Sequence, residues 1–243
     1  MQAGIGVVSA ERLERHRAIV AALEAISDEE LAAWLTASEP LRRDGHASLM
    51  LPGDGTPLFV KLLSLTELEL KPQHWLSTAN CFGLPPSYGH RIGSAGFGVR
   101  RELDTHAIAN GWVVAGECAQ FPLMHNHRLV PIARPVFRAP RWPKPWGDDP
   151  AVAARHAAIE QSSHCVAVFL EPFRCNLLQW LRDRPAGTNG SDDDVLRLEP
   201  QLLELAEFIN RRGLRHMDAH FENIVTDGEN IVTTRTPAPL ADA

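Results

Sequence analysis

The run CVAVFLEPF, residues 165–173, constrains this chain more than any other stretch. A continuous apolar segment of this length reads as a buried strand, and it stops at Glu171 and Pro172. A buried strand requires a core around it. The 243 residues are enough for one large domain or two small lobes with a sizeable core. With 44% hydrophobic and 22% charged residues, the composition is that of an ordinary globular chain. The net charge of -6 gives no global attraction to nucleic acid or to anionic membranes, so neither is expected as a partner. No run approaches the ~18 apolar residues of a membrane span. The start, MQAGIGVVSAERLERHR, lacks the basic and apolar segments of a signal peptide, so a cytoplasmic location is expected. Cys81, Cys118, Cys165 and Cys175 form no C-x-x-C pair and read as free, mostly buried thiols.

Local patterns outline the rest. SAERLERHRAIVAALEAI reads as an amphipathic helix capped by Ser9, with Leu13, Ile19, Leu23 and Ile26 on its apolar side. SDEELAAWL opens a second helix, with Ser27 and Glu30 at capping-box spacing. SLML and LFVKLL are strand-like runs joined by the turn PGDG, which predicts a hairpin. SAGFGVRRELDTHAIANGW places glycines before a helical run with Val99, Leu103, Ala107 and Ile108 facing a core. WVVAG and LVPIARPVF read as strands and APRWPKPWGDDP as a loop. Beyond the buried run, NLLQWLRDR is a short helix and PAGTNGSDDD a surface loop. EPQLLELAEFINRRG is a helix with Leu202, Leu205, Ala206 and Ile209 on one face, Pro200 in its first turn and Gly213 at its end. NIVTDGENIV repeats the hairpin signal.

LRHMDAHFENIVTDGENIVTTRT, residues 214–236, concentrates His216, Asp218, His220 and Asn223 between a helix and a hairpin. These side chains can do one of three things. They can hydrogen-bond a helix-to-strand turn. His216, Asp218 and His220 can ligate a metal in a hydrolase. Or Asp218 can deprotonate a hydroxyl while Asn223 holds Mg²⁺ against ATP phosphates. Two upstream residues bear on the choice. Lys61 lies in the middle of the apolar strand LFVKLL, where a lysine either snorkels to water or meets a phosphate. Glu102 begins a helix, where a carboxylate either faces solvent near the N-terminus or holds that lysine.

In order, the chain offers a hairpin, a strand lysine, a helix glutamate, an apolar strand ending in LEPF, a helix, and H-x-D-x-x-x-x-N. Over roughly residues 40–236 this resembles the protein kinase-like superfamily. Asp218 is followed by Ala219-His220 without the nearby lysine common in Ser/Thr protein kinases. In that detail it is more similar to the aminoglycoside phosphotransferase and choline kinase branch, or to bacterial kinase-like proteins.

The resemblance implies an α+β, two-lobed fold. Residues 1–40 would be an N-terminal helical extension and residues 41–172 an antiparallel-sheet N-lobe. Residues 173–243 would form an incomplete helical C-lobe with the catalytic loop and an irregular tail. The implied activity is transfer of the ATP γ-phosphoryl group to an unidentified hydroxyl acceptor, with ATP and Mg²⁺ as cofactors. Lys61 would bind phosphates, Glu102 would orient Lys61, Asp218 would be the base, and Asn223 the metal ligand. The backbone around Glu171 and Phe173 would receive the adenine, and Gly45, in DGHAS, stands where a glycine-rich phosphate loop belongs.

The family also requires a second metal-binding Asp after the NIVTDGENIV hairpin, where this chain has Thr234-Arg235-Thr236. Asp227 comes too early and Asp242 too late. The expectation is a truncated kinase-like domain with weak or no turnover. Its 200–212 helix would be incompletely covered, favouring self-association or chaperone binding. The alternatives are a non-catalytic pseudokinase or nucleotide-binding interaction module, and the metal-dependent hydrolase.

Overall fold

A computed structural model of the chain describes residues 6–39, 41, 45–75, 77–90, 96–132, 148–183, 190–215, 219–226, 230–233 and 238–239. The fold is α+β, with antiparallel sheets and, among the described residues, six α-helices. No helix among the described residues is long and apolar enough to cross a membrane. The chain divides into two units. A sheet unit comprises Arg15–Asp104 and Met124–Glu171; a helical unit comprises Met1–Glu14, Thr105–Leu123 and Pro172–Ala243.

In the sheet unit, β1 (His46–Met50), β2 (Pro57–Leu65), β3 (Met124–Pro131) and β4 (His164–Leu170) form one antiparallel sheet in the order β1-β2-β4-β3. The predicted hairpin joins β1 to β2. Its turn is closed by the Asp54 carboxylate, which accepts the Thr56 backbone N–H at 2.9 Å. Gly53 and Gly55 hold φ of 102° and 72° there, a region side chains disfavour. Side chains alternate faces along a strand. Leu58 and Val60 of β2 join Cys165, Ala167 and Phe169 of β4 in one core cluster, which is completed by Ile19, Leu23, Leu31 and Leu35. Those four come from α1 (Ala10–Glu24) and α2 (Asp28–Ala37). On the opposite face Leu63, Leu65, Val166, Val168 and Leu170 pack with Val99 and Leu103, from the start of α3 (Val99–Val114). Strand β4 is continuously apolar because both its faces are covered.

The caps read from the sequence are present. Ser9 Oγ accepts the Arg12 N–H, and Ser27 and Glu30 form a complete capping box at the start of α2. Helix α4 (Pro150–Glu160), which the sequence pattern did not reveal, is capped by Asp149 with Pro150 in its first turn. All four cysteines are free. Burial pushes the thiols of Cys118 and Cys165 up to about 11 and about 12.

In the helical unit, NLLQWLRDR forms the predicted short helix, α5 (Leu177–Arg182), which Asn176 caps, and α6 spans Gly190–Arg211. Strands β5 (Cys175–Asn176), β7 (Ile224–Thr226) and β8 (Ile231–Thr233) form an antiparallel sheet that contains the second predicted hairpin. Strand β6 (Leu214–Arg215) pairs with β9 (Ala238–Pro239), so the tail carries a short strand. Ala109, Val113, Phe121, Leu198, Leu205, Phe208, Ile209 and Ile231 anchor the core of this unit.

Several expectations are corrected. WVV, residues 112–114, is the end of α3 rather than a strand. Helical spacing carries the buried side of α3 from Leu103 through His106 to Ala109 and Val113, which leaves Ala107 and Ile108 exposed. Helix α6 starts ten residues before Pro200, which lies inside it, and GSDDD is helical rather than loop. Proline removes a backbone donor and usually starts a helix. Here the acidic composition that favours helix N-termini stands at 192–194 instead. The buried face of α6 centres on Leu205, Phe208 and Ile209, while Ala206 is exposed. Strand β3 begins at Met124, well ahead of LVP.

Phe169 is fully buried and stacks on Trp34 with ring centroids 6.2 Å apart. Phe169→Ala is expected to cost about 3–5 kcal/mol. This is read as a lowered denaturant midpoint with an unchanged slope.

Candidate functional site

Strand parity fixes the direction of Lys61. It lies on β2 between Val60, which faces α1 and α2, and Leu62, which packs against the same cluster. Lys61 therefore shares the other face with Phe59, Leu63 and Leu65. Its register partner is Val168, also on that face. Helix α3 covers this face and presents Glu102 in its first turn. Lys61 Nζ and Glu102 Oε1 form an ion pair, with side chains 28% and 30% exposed. The pair is thus half-shielded from water in an otherwise apolar layer, and the ammonium keeps further donors for a ligand.

A second charged cluster, absent from the sequence reading, lies in the same unit. Glu69 Oε2 accepts hydrogen bonds from Thr66 N at 3.1 Å, Thr66 Oγ1 at 2.7 Å and Arg155 Nη1 at 2.8 Å. Glu69 Oε1 accepts the N–H of Val99, the first residue of α3, at 3.0 Å. Arg155 is 1% exposed and its guanidinium lies 5.1 Å from the Phe82 ring centroid. Burial alone pushes the Glu69 carboxyl up. The Arg155 charge and the hydrogen bonds from Arg155 and Thr66 outweigh it and hold the carboxyl below its usual value. The sequence carried one signal for this. Thr66 and Glu69 stand at capping-box spacing, and the two backbone and side-chain bonds of such a box are present. Arg155 gave no comparable sign.

In the helical unit, Asn223 precedes β7 in the loop after His220. Its Nδ2 lies 2.9 Å from His220 Nε2, and its backbone N–H donates to the His220 carbonyl at 2.8 Å. The other ring nitrogen, Nδ1, accepts the Glu222 backbone N–H at 3.3 Å and lies 3.7 Å from a Glu222 carboxylate oxygen. His216 and Asp218 lie outside the described residues, as do Asp44 and Thr234-Arg235-Thr236. Among the described residues no group of three His, Cys, Asp or Glu could hold a metal ion; two members of the hydrolase triad are not among them.

The remaining candidates are placed as follows. The Gly45 N–H donates to the Leu41 carbonyl at 2.9 Å, and the Gly45 carbonyl accepts from Leu62 N at 2.7 Å. Both backbone groups of Gly45 are therefore engaged by the protein. Glu171 and Phe173 are half-buried and flank the point where the sheet unit ends and the helical unit resumes. No family model and no curated protein matches the chain.

A buried carboxylate that loses its partner is strongly destabilised, by about 3–5 kcal/mol. Arg155→Met is expected to cost that much at neutral pH, where Glu69 is ionised. The wild-type carboxyl is depressed, so its contribution is complete above the unfolded value and lost as pH falls through the folded value. In Arg155→Met the acid form of Glu69 relieves the unpaired charge. The difference between wild type and variant should therefore shrink on acidification, as read from denaturant midpoints at two pH values.

Proposed function

We propose that this chain is a kinase-like, ATP-binding phosphotransferase with a sheet-bearing N-lobe and a helical C-lobe. The Lys61–Glu102 ion pair carries the reading. Phosphoryl transfer depends on positioning and charge stabilisation, for which kinases use a strand lysine held by a helix carboxylate. The chain order around the pair supports the same reading: hairpin before it, apolar strand after it. Lys61 would contact ATP phosphates and Glu102 would hold Lys61 in place. Asp218 would take the proton of the acceptor hydroxyl as its oxygen bonds the γ-phosphorus and the bond to the β–γ bridging oxygen breaks. The backbone at Glu171 and Phe173 would receive adenine, and the loop of Gly45 would lie by the phosphates. Mg²⁺, when bound, supplies neutralisation of the phosphate charge. Hard oxygen donors suit it, and the amide oxygen of Asn223 would be such a donor. The acceptor is a hydroxyl compound, and the proposed setting is the cytoplasm, where ATP is available.

A second reading, nucleotide binding with little or no turnover, is favoured by Thr234-Arg235-Thr236, which stands where the resemblance places a second acidic metal ligand. Arginine adds charge near phosphate but no metal-binding oxygen, and each ~1.4 kcal/mol of lost transition-state stabilisation slows transfer tenfold.

Calorimetry with ATP, with and without Mg²⁺, separates these readings when paired with ATP consumption over a panel of hydroxyl acceptors. The expected result is ATP binding weakened about tenfold or more by Lys61→Ala. Mg²⁺-dependent turnover abolished by Asp218→Asn establishes the transferase. Lys61-dependent binding without turnover establishes the second reading, and absence of ATP binding overturns both.

A further inference from the structure

We propose that Glu69 is a positioning residue that sets Glu102 against Lys61. In its functional consequence this rests on the phosphotransferase reading; in its geometry it does not. Glu69 is buried, so it acts through the helix and not on a ligand.

The geometry is a closed circuit. Strand β2 carries Lys61 and ends at Leu65. Thr66 follows at once and donates both its N–H and its hydroxyl to Glu69 Oε2. The other carboxylate oxygen takes the N–H of Val99. One turn later α3 presents Glu102, which returns to Lys61. A single carboxylate thus ties the end of the lysine strand to the start of the glutamate helix, and the ion pair ties them a second time. The first N–H groups of a helix have no partner within it, and negative charge at that end is favourable. Glu69 meets both needs at the turn that carries Glu102. Arg155, from α4, holds the carboxylate from behind at 2.8 Å. Gly98 leaves room for the arrangement: a Cβ there would sit 3.1 Å from Glu69 Oε1, crowding the oxygen that accepts from Val99.

These contacts define two perturbations of different strength. Glu69→Gln removes the charge that pairs with Arg155 and faces the helix start. Gly98→Ala keeps every charge and displaces only the carboxylate oxygen, so it serves if Glu69→Gln does not fold. Leu35→Ala, in the core on the opposite sheet face, is a control that lowers stability without touching the circuit.

The readout that a merely structural role would not move is the reactivity of the Lys61 amine toward an acylating reagent, followed by mass spectrometry on the nucleotide-free full chain under folding conditions. An amine held by a carboxylate reacts slowly. Glu69→Gln is expected to raise the Lys61 rate toward that of Glu102→Gln, and Gly98→Ala to raise it by less, with Leu35→Ala unchanged. ATP affinity, measured in parallel, is expected to fall by about tenfold in Glu69→Gln and not in Leu35→Ala. Unchanged Lys61 reactivity in folded Gly98→Ala and Glu69→Gln overturns the proposal, as does an equal rise in Leu35→Ala. If wild type fails to bind ATP, the phosphotransferase reading fails, and the reactivity series still decides the positioning role.

Discussion

Strand β4 offers no polar side to its surroundings: Cys165, Ala167 and Phe169 turn one way, Val166, Val168 and Leu170 the other. Water must be excluded from both faces, and the sheet unit is organised by that demand. Helices α1 and α2 supply cover on one side and the start of α3 on the other. Once α3 is drawn onto the sheet by Val99 and Leu103, Glu102, one helical turn from Val99, has Lys61 as its natural partner.

Charges in an apolar layer carry a desolvation cost, and the structure handles the Lys61–Glu102 and Glu69–Arg155 pairs differently. Lys61 and Glu102 remain partly hydrated, which leaves the amine able to exchange partners. Glu69 and Arg155 are almost wholly buried, and the carboxylate is surrounded by donors from three separate segments. A pair that is nearly dry gains little from mutual attraction beyond its desolvation cost, but it is intolerant of misplacement. The first arrangement suits a group that must respond to a ligand and the second a group that must not move.

Much of this was legible in the sequence where the governing pattern is short-range. Alternation around Lys61 and helical spacing around Glu102 each need only a few neighbouring residues. The hairpin at Asp54 and the caps at Ser9 and Ser27 were readable for the same reason. What escaped depends on distant partners or on competing local signals. Glu69 stands in a readable Thr66–Glu69 box, but its ion-pair partner comes from a helix far along the chain. That helix was itself hidden, since its buried residues include Arg155 and His156 as well as Val152 and Ile159, which blurs the apolar stripe. Pro200 suggested a helix start because proline is favoured there, although α6 accommodates it within. The kinase-like motif around Asp218 was read from residue order alone, and Asp218 itself lies outside the described residues.

Parity along β2 has a further consequence for how this chain can vary. Substitutions at Lys61 change one side chain, whereas insertion or loss of one residue between the Asp54 turn and Lys61 would rotate every later position of the strand to the other face. The amine would then enter the layer of Leu23, Leu31 and Phe169, on the sheet face opposite Glu102. Length between the turn and the lysine is therefore under tighter restraint than composition. Related chains that preserve the pair should differ there by replacement, with changes of length confined to the turn itself or to the segments outside the sheet.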